Sequence, residues 1–330
     1  MQSKTSVTVA TAAPAIVPKA KQVQWRDFVV YIFFSIVLMF FAFTIGDKGF
    51  LTVANLFNIT RTTSMIAIMA IAMTFVIAAG ELDLSIGSSA ALSALVAALT
   101  ISAGYGIIAG VAMGILSGLA VGALNSFFVT VFKIPSFLVT LGSMQLIRGL
   151  DMRVTYTKPV AIADTTFNNF FGSGKIGPLP SLFVWSLVVV VVGHIVLRYT
   201  TFGRQVLAAG GNPVAARYSG VPVDRVKIYC FLISGGAGAL AGLLYSGMMQ
   251  TARYTFGTGA ELAAIAAVIL GGTSLFGGKA TVIGTFVGAL LIGTINNGLI
   301  IMGLDVSEQM MIAGGLIIVA VAFGRRPTKT

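Results

Sequence analysis

This sequence has few charged residues and a single cysteine. Only 9% of its 330 residues are charged, whereas roughly a quarter are charged in a typical soluble domain. Hydrophobic residues make up 57% of the chain, and the mean hydropathy is +0.96. This balance excludes a soluble globular protein and predicts a chain that crosses a membrane several times. The lone cysteine, Cys230, excludes an intramolecular disulfide and any multi-cysteine metal site.

Histidine is as scarce as cysteine, and the usual catalytic patterns are missing. His194 lies in the apolar run VVVVVGHIVLRY, where a structural hydrogen bond to a backbone carbonyl is a more common role than ligation. The sequence shows neither a cluster of His, Cys and carboxylates nor a nucleophile beside a base, so it offers little from which to build an enzyme site. An intramembrane enzyme is the least favoured class.

A phosphate-binding loop is also missing. Residues 272–279, GTSLFGGK, resemble one faintly, but the motif needs Gly, four residues, and then Gly-Lys-Ser/Thr. Thr273 stands where the first Gly is required, and Ala280 follows the lysine. The chain is therefore predicted to have no ATP site of its own.

The net charge of +11 comes from 21 Lys and Arg residues that are spread among short loops. A nucleic-acid surface collects such residues on one face with aromatic side chains, so nucleic-acid binding is not expected. Residues 1–27 are rich in Ala, Thr, Val and Pro and carry several of the cations. They predict a disordered cytoplasmic tail that stays attached, because no cleavage site follows the first apolar run.

Ten hydrophobic segments predict an all-α polytopic membrane protein in which some helices are interrupted. The segments are residues 28–45, 64–80, 84–101, 107–132, 135–148, 181–197, 228–249, 262–271, 281–302 and 308–323. Residues 51–63 are semi-polar and predict an interfacial stretch or a shallow start to the second crossing. Residues 151–180 form a polar outer segment that is a candidate cap. The membrane domain is expected to span residues 28–323, with a second tail at 324–330.

One basic interruption, residues 198–227, sets the expected topology. Its cations are Arg198, Arg204, Arg217, Arg225 and Lys227, against a single acid, Asp224. Because cytoplasmic loops of membrane proteins carry an excess of Lys and Arg, this loop is predicted to lie in the cytoplasm. Ten crossings then place both termini in the cytoplasm as well.

The same loop is predicted to present a short helix over residues 214–219. Asn212 is a favourable cap for free backbone N–H groups, Pro213 fits the first helical position, and Gly220 supplies a left-handed stop. A short helix on an exposed loop has little apolar surface to bury, which favours a docking element. The alternative is an ordinary connector with turn residues.

Several polar residues fall within or between the apolar segments, where they are costly. The candidates for a pathway or gate are Glu81, Asp83, Asn125, Glu261, Asn296 and Asn297. In the alternative interpretation, Asp83 caps the third crossing, because its carboxylate precedes Ser85 and a helix start. The asparagines would then pair between helices.

Glycine is abundant, with 39 residues. Rows such as residues 110–118 and 235–242 predict close helix packing, because small residues let backbones approach in lipid. A weak internal echo links GLAVGALN, residues 118–125, with GALLIGTIN, residues 288–296. Two related halves would suit a transporter, although a glycine-rich chain also produces such echoes by chance.

Three landmark segments make the chain resemble a known family. They are residues 55–88 (beginning NLFNITRTTSM), residues 200–228 (beginning TTFGRQVLAAGGNPVAARYSG), and residues 257–299 (beginning GTGAELAAIAAVILGGTS). The chain is similar to the permease subunits of bacterial ribose-type ABC sugar importers, within the branched-chain amino acid/ribose permease superfamily. The resemblance covers nearly all residues after the tail.

The resemblance implies a bacterial inner-membrane location and three kinds of partner. These are a second permease copy or paralogue, an ABC ATPase that holds the ATP and magnesium, and a periplasmic binding protein that delivers a monosaccharide or polyol. It also implies that the basic loop inserts into a cleft of the ATPase. The candidate contact residues are Gly203, Arg204, Gly210, Gly211, Asn212, Pro213, Ala216, Arg217 and Gly220.

Two departures from the family pattern bear on the solute. Glu81-Leu82-Asp83 stands where the family often has Gly-Ile-Asp, and Glu261-Leu262-Ala263 stands where it often has Glu-Leu-Asp. Ribose, other pentoses, hexoses, polyols and furanose signalling molecules all fit the sequence. An ion-coupled secondary carrier is the alternative class, since such proteins also use broken helices and embedded carboxylates.

Overall fold

Helices form most of residues 29–324, which are the residues that the structure, a computed structural model, describes. The helices are α1 Val29–Ile45, α2 Val53–Ala78, α3 Ile86–Ser102, α4 Gly106–Thr130, α5 Ser136–Thr155, α6 Thr165–Asn168, α7 Ser181–Tyr199, α8 Thr201–Gly211, α9 Pro213–Tyr218, α10 Val223–Met249, α11 Ala260–Leu270, α12 Val282–Ile301 and α13 Val306–Gly324. The predicted tails lie outside the described residues, except that Gly324 ends α13.

The predicted all-α architecture is confirmed, and each predicted crossing falls on one helix, namely α1 to α5, α7 and α10 to α13. Five of these are long and apolar enough to cross a membrane: α2, α4, α7, α10 and α12. Helices α1, α3 and α11 are apolar but shorter. The remaining short helices lie in the loops.

Two predicted boundaries change in the structure. Residues 53–63 are the first turns of α2, which Thr52 caps by accepting from the Asn55 N–H at 3.3 Å. Helix α5 continues past the predicted exit of the fifth crossing at residue 148 to Thr155, and it ends where Tyr156 takes a left-handed conformation, with φ of 50°. Asp151 therefore lies on a helix rather than in the outer segment, since leaving the apolar run does not break backbone hydrogen bonding.

Further along the chain, α10 begins at Val223, so Arg225 and Lys227 are helical rather than part of a loop. Helix α8 was not predicted. Thr200 caps it by accepting from the Gly203 N–H at 3.2 Å, and it buries Val206 and Ala209. It forms because one face of an amphipathic segment finds apolar cover on α7 and α10.

The two long helices α2 and α10 pack in a reciprocal way. Helix α2 lies against α11 and α12, α10 lies against α3 and α4, and the two also contact each other. The glycine rows allow this, since a methyl group added at Gly235 would overlap the Gly118 carbonyl oxygen. The weak sequence similarity between residues 118–125 and 288–296 is not accompanied by similar contacts. Gly118 faces α10, whereas Gly288 faces Ala267 of α11.

The predicted outer segment folds over one end of the bundle. Strand β1 (Val160–Ala161) pairs antiparallel with β4 (Thr251–Ala252), and β2 (Lys175–Ile176) with β3 (Leu179–Pro180). Between them, α6 leads into a π-helical turn that packs against α10 and α7. Residues 156–180 and 250–252 define what we call the distal end. The opposite, basic end holds residues 198–222 and the turn 271–281.

Candidate transport pathway and coupling surface

The short helix α9 forms as the sequence predicts, one residue earlier at each end. Asn212 Oδ1 accepts from the N–H groups of Val214 at 3.1 Å and Ala215 at 3.0 Å. Gly220 ends the turn with φ of 82°. Ala216 is buried, whereas the Val214 and Tyr218 side chains are 61% and 90% exposed. The helix thus presents an apolar surface that no residue among 29–324 covers.

The end of α8 sits in a junction of glycines at the basic end. A methyl group added at Gly210 would overlap the carbonyl oxygen of Ala78, the last residue of α2. That same oxygen accepts a hydrogen bond from the Gly278 N–H at 3.1 Å, in the turn between α11 and α12. Gly277 and Gly278 both have positive φ, which an L side chain would strain. Helix α8 therefore touches both interrupted regions of the bundle at once.

Ion pairs tie the same region together. Lys227 of α10 pairs with Glu81, which places that predicted pathway residue at the basic end beside the loop. Asp224 accepts from Arg217 of α9 at 2.7 Å and from Lys133 at 3.1 Å. Because both contacts of Asp224 are exposed, each contributes little stability on its own. They connect α9 with the turn between α4 and α5.

Residues 81–85 interrupt the helices and end in a turn at residues 84–85, and α5 supplies hydrogen bonds to them. The Leu82 N–H donates to Ser136 Oγ at 3.0 Å, and the Leu84 N–H donates to Thr140 Oγ1 at 3.0 Å. These bonds satisfy backbone groups that have no helical partner inside the bundle. Helix α5 thus holds the interruption between α2 and α3 in place.

Asp83 lies at the centre of a buried polar network. Its side chain is 1% exposed, and Oδ1 accepts from the Ser85 N–H at 2.9 Å and the Ser85 hydroxyl at 2.6 Å. Oδ2 accepts from the Ser234 hydroxyl at 2.6 Å. The cap position of α3 is Ser85 rather than Asp83, and the Asp83 carboxylate stabilises the turn that leads into the helix.

Asn125 extends this network to two further helices. Its Nδ2 donates to Ser85 Oγ at 2.8 Å, and its Oδ1 accepts from the Ser143 hydroxyl of α5. The network therefore joins α3, α4, α5 and α10. Every polar atom just named has a partner, so neither Asp83 nor Asn125 offers a free group to a passing solute.

Helices α3 and α11 both begin midway through the bundle. Residues 81–86 run alongside α10. Glu81 pairs with Lys227, Asp83 accepts a hydrogen bond from Ser234, and Ile86 lies beside Gly238. After α10, the chain turns back until Gly257 packs on Gly87, where a methyl group on either residue would overlap the carbonyl oxygen of the other. The N-termini of two half-helices therefore meet at mid-depth.

Glu261 lies at this meeting point. Its side chain is 8% exposed, Oε1 accepts from the Gly259 N–H at 3.3 Å, and Oε2 has no hydrogen-bond partner among the described residues. A methyl group at Gly87 would lie 2.5 Å from Oε2. The carboxylate thus faces the start of α3, whose positive end favours an anion there.

A cavity of about 700 Å³ opens beside the half-helices, in the distal half of the bundle. Helices α2 and α10 to α13 form most of its wall. The wall is mainly apolar and rich in methionine, for example Met65, Met69 and Met248. Polar groups are contributed by Thr62, Tyr245, Thr258, Asn296 and Gln309. This composition, apolar with a few polar groups, is typical of small-molecule sites.

The structure separates the predicted pathway residues. Asn296 lines the cavity, whereas Asn297 exchanges two 3.0 Å hydrogen bonds with Asn55 and so pairs two helices. Glu261 lies behind the wall, while its neighbours Ala260 and Leu262 line it. Gln309 and the methionines were missed, because nothing in an apolar run distinguishes a cavity wall from packed core.

The single histidine contacts an aromatic ring, and the single cysteine is buried. The His194 ring lies edge-on to Tyr199 with centroids 5.9 Å apart. The backbone hydrogen bond expected for His194 is not among the bonds found within residues 29–324. Cys230 is a buried free thiol on α10.

Comparison with known proteins identifies the class. A family model described as the branched-chain amino acid transport system permease component matches residues 55–321. The ribose import permease protein RbsC of Escherichia coli (strain K12) is 39% identical over 281 residues, covering 83% of this chain and 87% of that protein. The Bacillus subtilis (strain 168) RbsC is 37% identical, covering 89% and 92%. No solved structure matches the chain significantly.

A third relative, the L-arabinose ABC transporter permease protein AraH of Azospirillum brasilense, is 35% identical over 90% of this chain and 87% of its own length. The chain belongs to the branched-chain amino acid transport system permease family. It is a multi-pass membrane subunit of an ABC importer and is not itself an enzyme. Such importers work in general with an ATPase and a binding protein, so the predicted class of function is confirmed.

Proposed function

We propose that this permease imports a monosaccharide, with an aldopentose as the first candidate. The relatives named for their solutes carry ribose or L-arabinose, and both are pentoses. The solute would arrive from a periplasmic binding protein and cross the bacterial inner membrane unaltered. A partner ATPase would hold the ATP and magnesium. Both termini and the basic end would face the cytoplasm, following the excess of cations in residues 198–227.

The observation that carries the coupling role is the position of α8 and α9. Helix α9 presents Val214 and Tyr218 outward from a rigid cap. Helix α8, directly before it, ends in the junction with Ala78 and Gly278. A push on α9 from an ATPase would therefore reach both interruptions, and these lead to the half-helices that meet beside the cavity. We place the solute pathway along that cavity, with Asn296 and Gln309 as hydroxyl-binding candidates.

Uptake measurements test this proposal. The permease is reconstituted into liposomes with its ATPase and binding protein, and labelled ribose and L-arabinose are offered separately. We expect ATP-dependent accumulation of at least one pentose that does not change when proton and sodium gradients are collapsed. Uptake that persists without the ATPase and disappears with an ion gradient would instead establish a secondary carrier.

The second permease copy is expected to pack on α5. This helix buries only one stripe, formed by Ser136, Thr140, Ser143, Ile147, Asp151 and Thr155. On the opposite side, Gly142 and Gly149 have open space around them, with the exposed Gln145 between them. Small residues allow a second backbone to approach closely, and a glutamine in lipid gains from a partner. That face is therefore suited to a protein neighbour rather than to lipid.

Cysteine cross-linking checks this surface. Gly142→Cys is expected to give a disulfide-linked dimer as the main species under mild oxidation, because two copies would bring these positions together. The native Cys230 does not compete, since it is buried. Ile108→Cys on α4, at a position that is also exposed, is the matched control and should stay monomeric. Equal dimer yields from the two variants would argue against the α5 interface.

A further inference from the structure

A second, open groove of about 600 Å³ lies on the outer surface of the bundle, near the basic end. Three helices form it, with Leu119 on α4, Phe202 on α8, and the rest on α10. The α10 residues are Tyr229, Leu232, Ile233, Gly236 and Ala237. Apart from the Tyr229 hydroxyl, these side chains carry no polar group. The groove is thus suited to a long apolar occupant and is separate from the solute cavity.

The groove and Arg225 below it together span about the depth of one leaflet of a bilayer. Arg225, Tyr229, Leu232 and Gly236 follow one another at spacings of four, three and four residues, so they share one face of α10. At 1.5 Å per residue, Arg225 to Gly236 covers about 16 Å. The hydrocarbon core of a bilayer is about 30 Å thick. An acyl chain from the leaflet at the basic end would therefore lie along the groove without reaching past the midplane.

The charge at the mouth of the groove favours an anionic headgroup. Arg225 lies one turn below Tyr229, which is 54% exposed. Arg225 and Arg204 are exposed and make no ion pair with any residue among 29–324. The adjacent acid, Asp224, is already engaged by Lys133 and Arg217. A phosphate at this mouth would meet uncompensated positive charge.

We propose that this groove binds one anionic phospholipid, with an acyl chain against Gly236 and Leu119 and the phosphate at Arg225. The floor is open at Gly236, where an added methyl group would touch Leu119 at 3.4 Å. Phe202 forms the wall nearest the coupling region, edge-on to Tyr229 at 6.1 Å and stacked on Phe75 of α2 at 6.3 Å. A bound lipid would therefore hold α8 against α2 and α10. That consequence rests on the proposed role of α8, whereas the binding itself does not.

Native mass spectrometry of the purified chain tests the binding directly. The full-length protein is released from nanodiscs that contain equal amounts of phosphatidylglycerol and phosphatidylcholine, and retained lipids are counted. We expect phosphatidylglycerol to be retained in preference to phosphatidylcholine. Arg225→Gln should lower phosphatidylglycerol retention about fivefold, the size expected for one cation near a lipid surface. It should leave phosphatidylcholine retention unchanged.

Substitutions that fill the groove test the proposed contact with the acyl chain. Gly236→Leu should lower retention of both lipids roughly tenfold, as for about two lost methylene contacts. Ala237→Leu serves the same purpose if the first variant does not fold. Arg153→Gln, an exposed cation near the distal end, is the matched control and should behave as wild type.

Three outcomes would overturn the proposal. One is equal retention of the two lipids by the wild-type protein, and another is an Arg225→Gln variant that retains phosphatidylglycerol normally. The third is efficient disulfide dimerisation of Ala237→Cys in membranes, which would assign the groove to a second protein copy. None of these results depends on transport, so the proposed import function is tested separately.

Discussion

Gly211→Glu is expected to yield a permease that inserts and folds but transports at least about thirtyfold more slowly. Gly211 is exposed at the end of α8, next to the cap of α9. An acid placed there would be buried without a partner when the ATPase docks, and an unpaired charge in an interface costs about 2–5 kcal/mol. ATP-dependent pentose uptake, normalised to the amount of folded protein, measures the effect.

Neighbouring variants separate a docking effect from a folding effect. At Gly211, a methyl group would lie 3.6 Å from the Gly278 Cα, which is ordinary contact, so Gly211→Ala should transport normally. At Gly210, the same methyl group would overlap the Ala78 carbonyl oxygen, so Gly210→Ala should lower thermal stability. Normal uptake by Gly211→Glu would contradict the assignment of this surface to the ATPase.

Asp83→Ala is expected to destabilise the membrane domain by about 3 kcal/mol or more. The substitution leaves the Ser85 N–H and the hydroxyl groups of Ser85 and Ser234 without their acceptor, at a fully buried position. Each unsatisfied buried group costs about 1–3 kcal/mol. The melting temperature in detergent should fall by about 5–10 °C. Ser234→Ala leaves only Asp83 Oδ2 without a partner and should cost less, about 2 kcal/mol.

Asp83→Asn separates a structural role from a role in transport. The amide oxygen can still accept from the Ser85 N–H, and the amide nitrogen can donate to Ser234 Oγ, so the melting temperature should stay close to that of the wild type. Uptake should also be retained if Asp83 acts by holding the start of α3. A stable Asp83→Asn protein without uptake would show that the charge itself takes part in transport.

The short helix α9 of the basic loop was predictable because its determinants are local. Asn212, Pro213 and Gly220 act on backbone groups within three residues of themselves, so their types and spacing are enough to predict α9. A local hydrogen bond of Asp83 near the start of α3 was predictable for the same reason, since its acceptor bond reaches only to Ser85. Its bond to Ser234, 151 residues away in sequence, carried no local signal.

The two adjacent asparagines show where sequence reasoning stops. Successive residues on a helix point about 100° apart, so Asn296 reaches the cavity while Asn297 pairs with Asn55. A hydrophobicity pattern cannot distinguish these two positions, because both residues are asparagine. Their difference depends on which neighbours α12 meets, and that follows from the packing of α2, α11 and α13 around it.

The amino-acid sequence by itself determined the membrane class, the ten apolar helices and the capped short helix α9. Apolar run length, charge excess and cap chemistry are short-range properties, and they are sufficient for these features. Only the tertiary structure decided that α3 and α11 begin midway through the bundle, and that α8 ends in the glycine junction with Ala78 and Gly278. Those features depend on close backbone contacts between segments far apart in the chain. Such contacts come from the fit of whole helices and have no local sequence pattern.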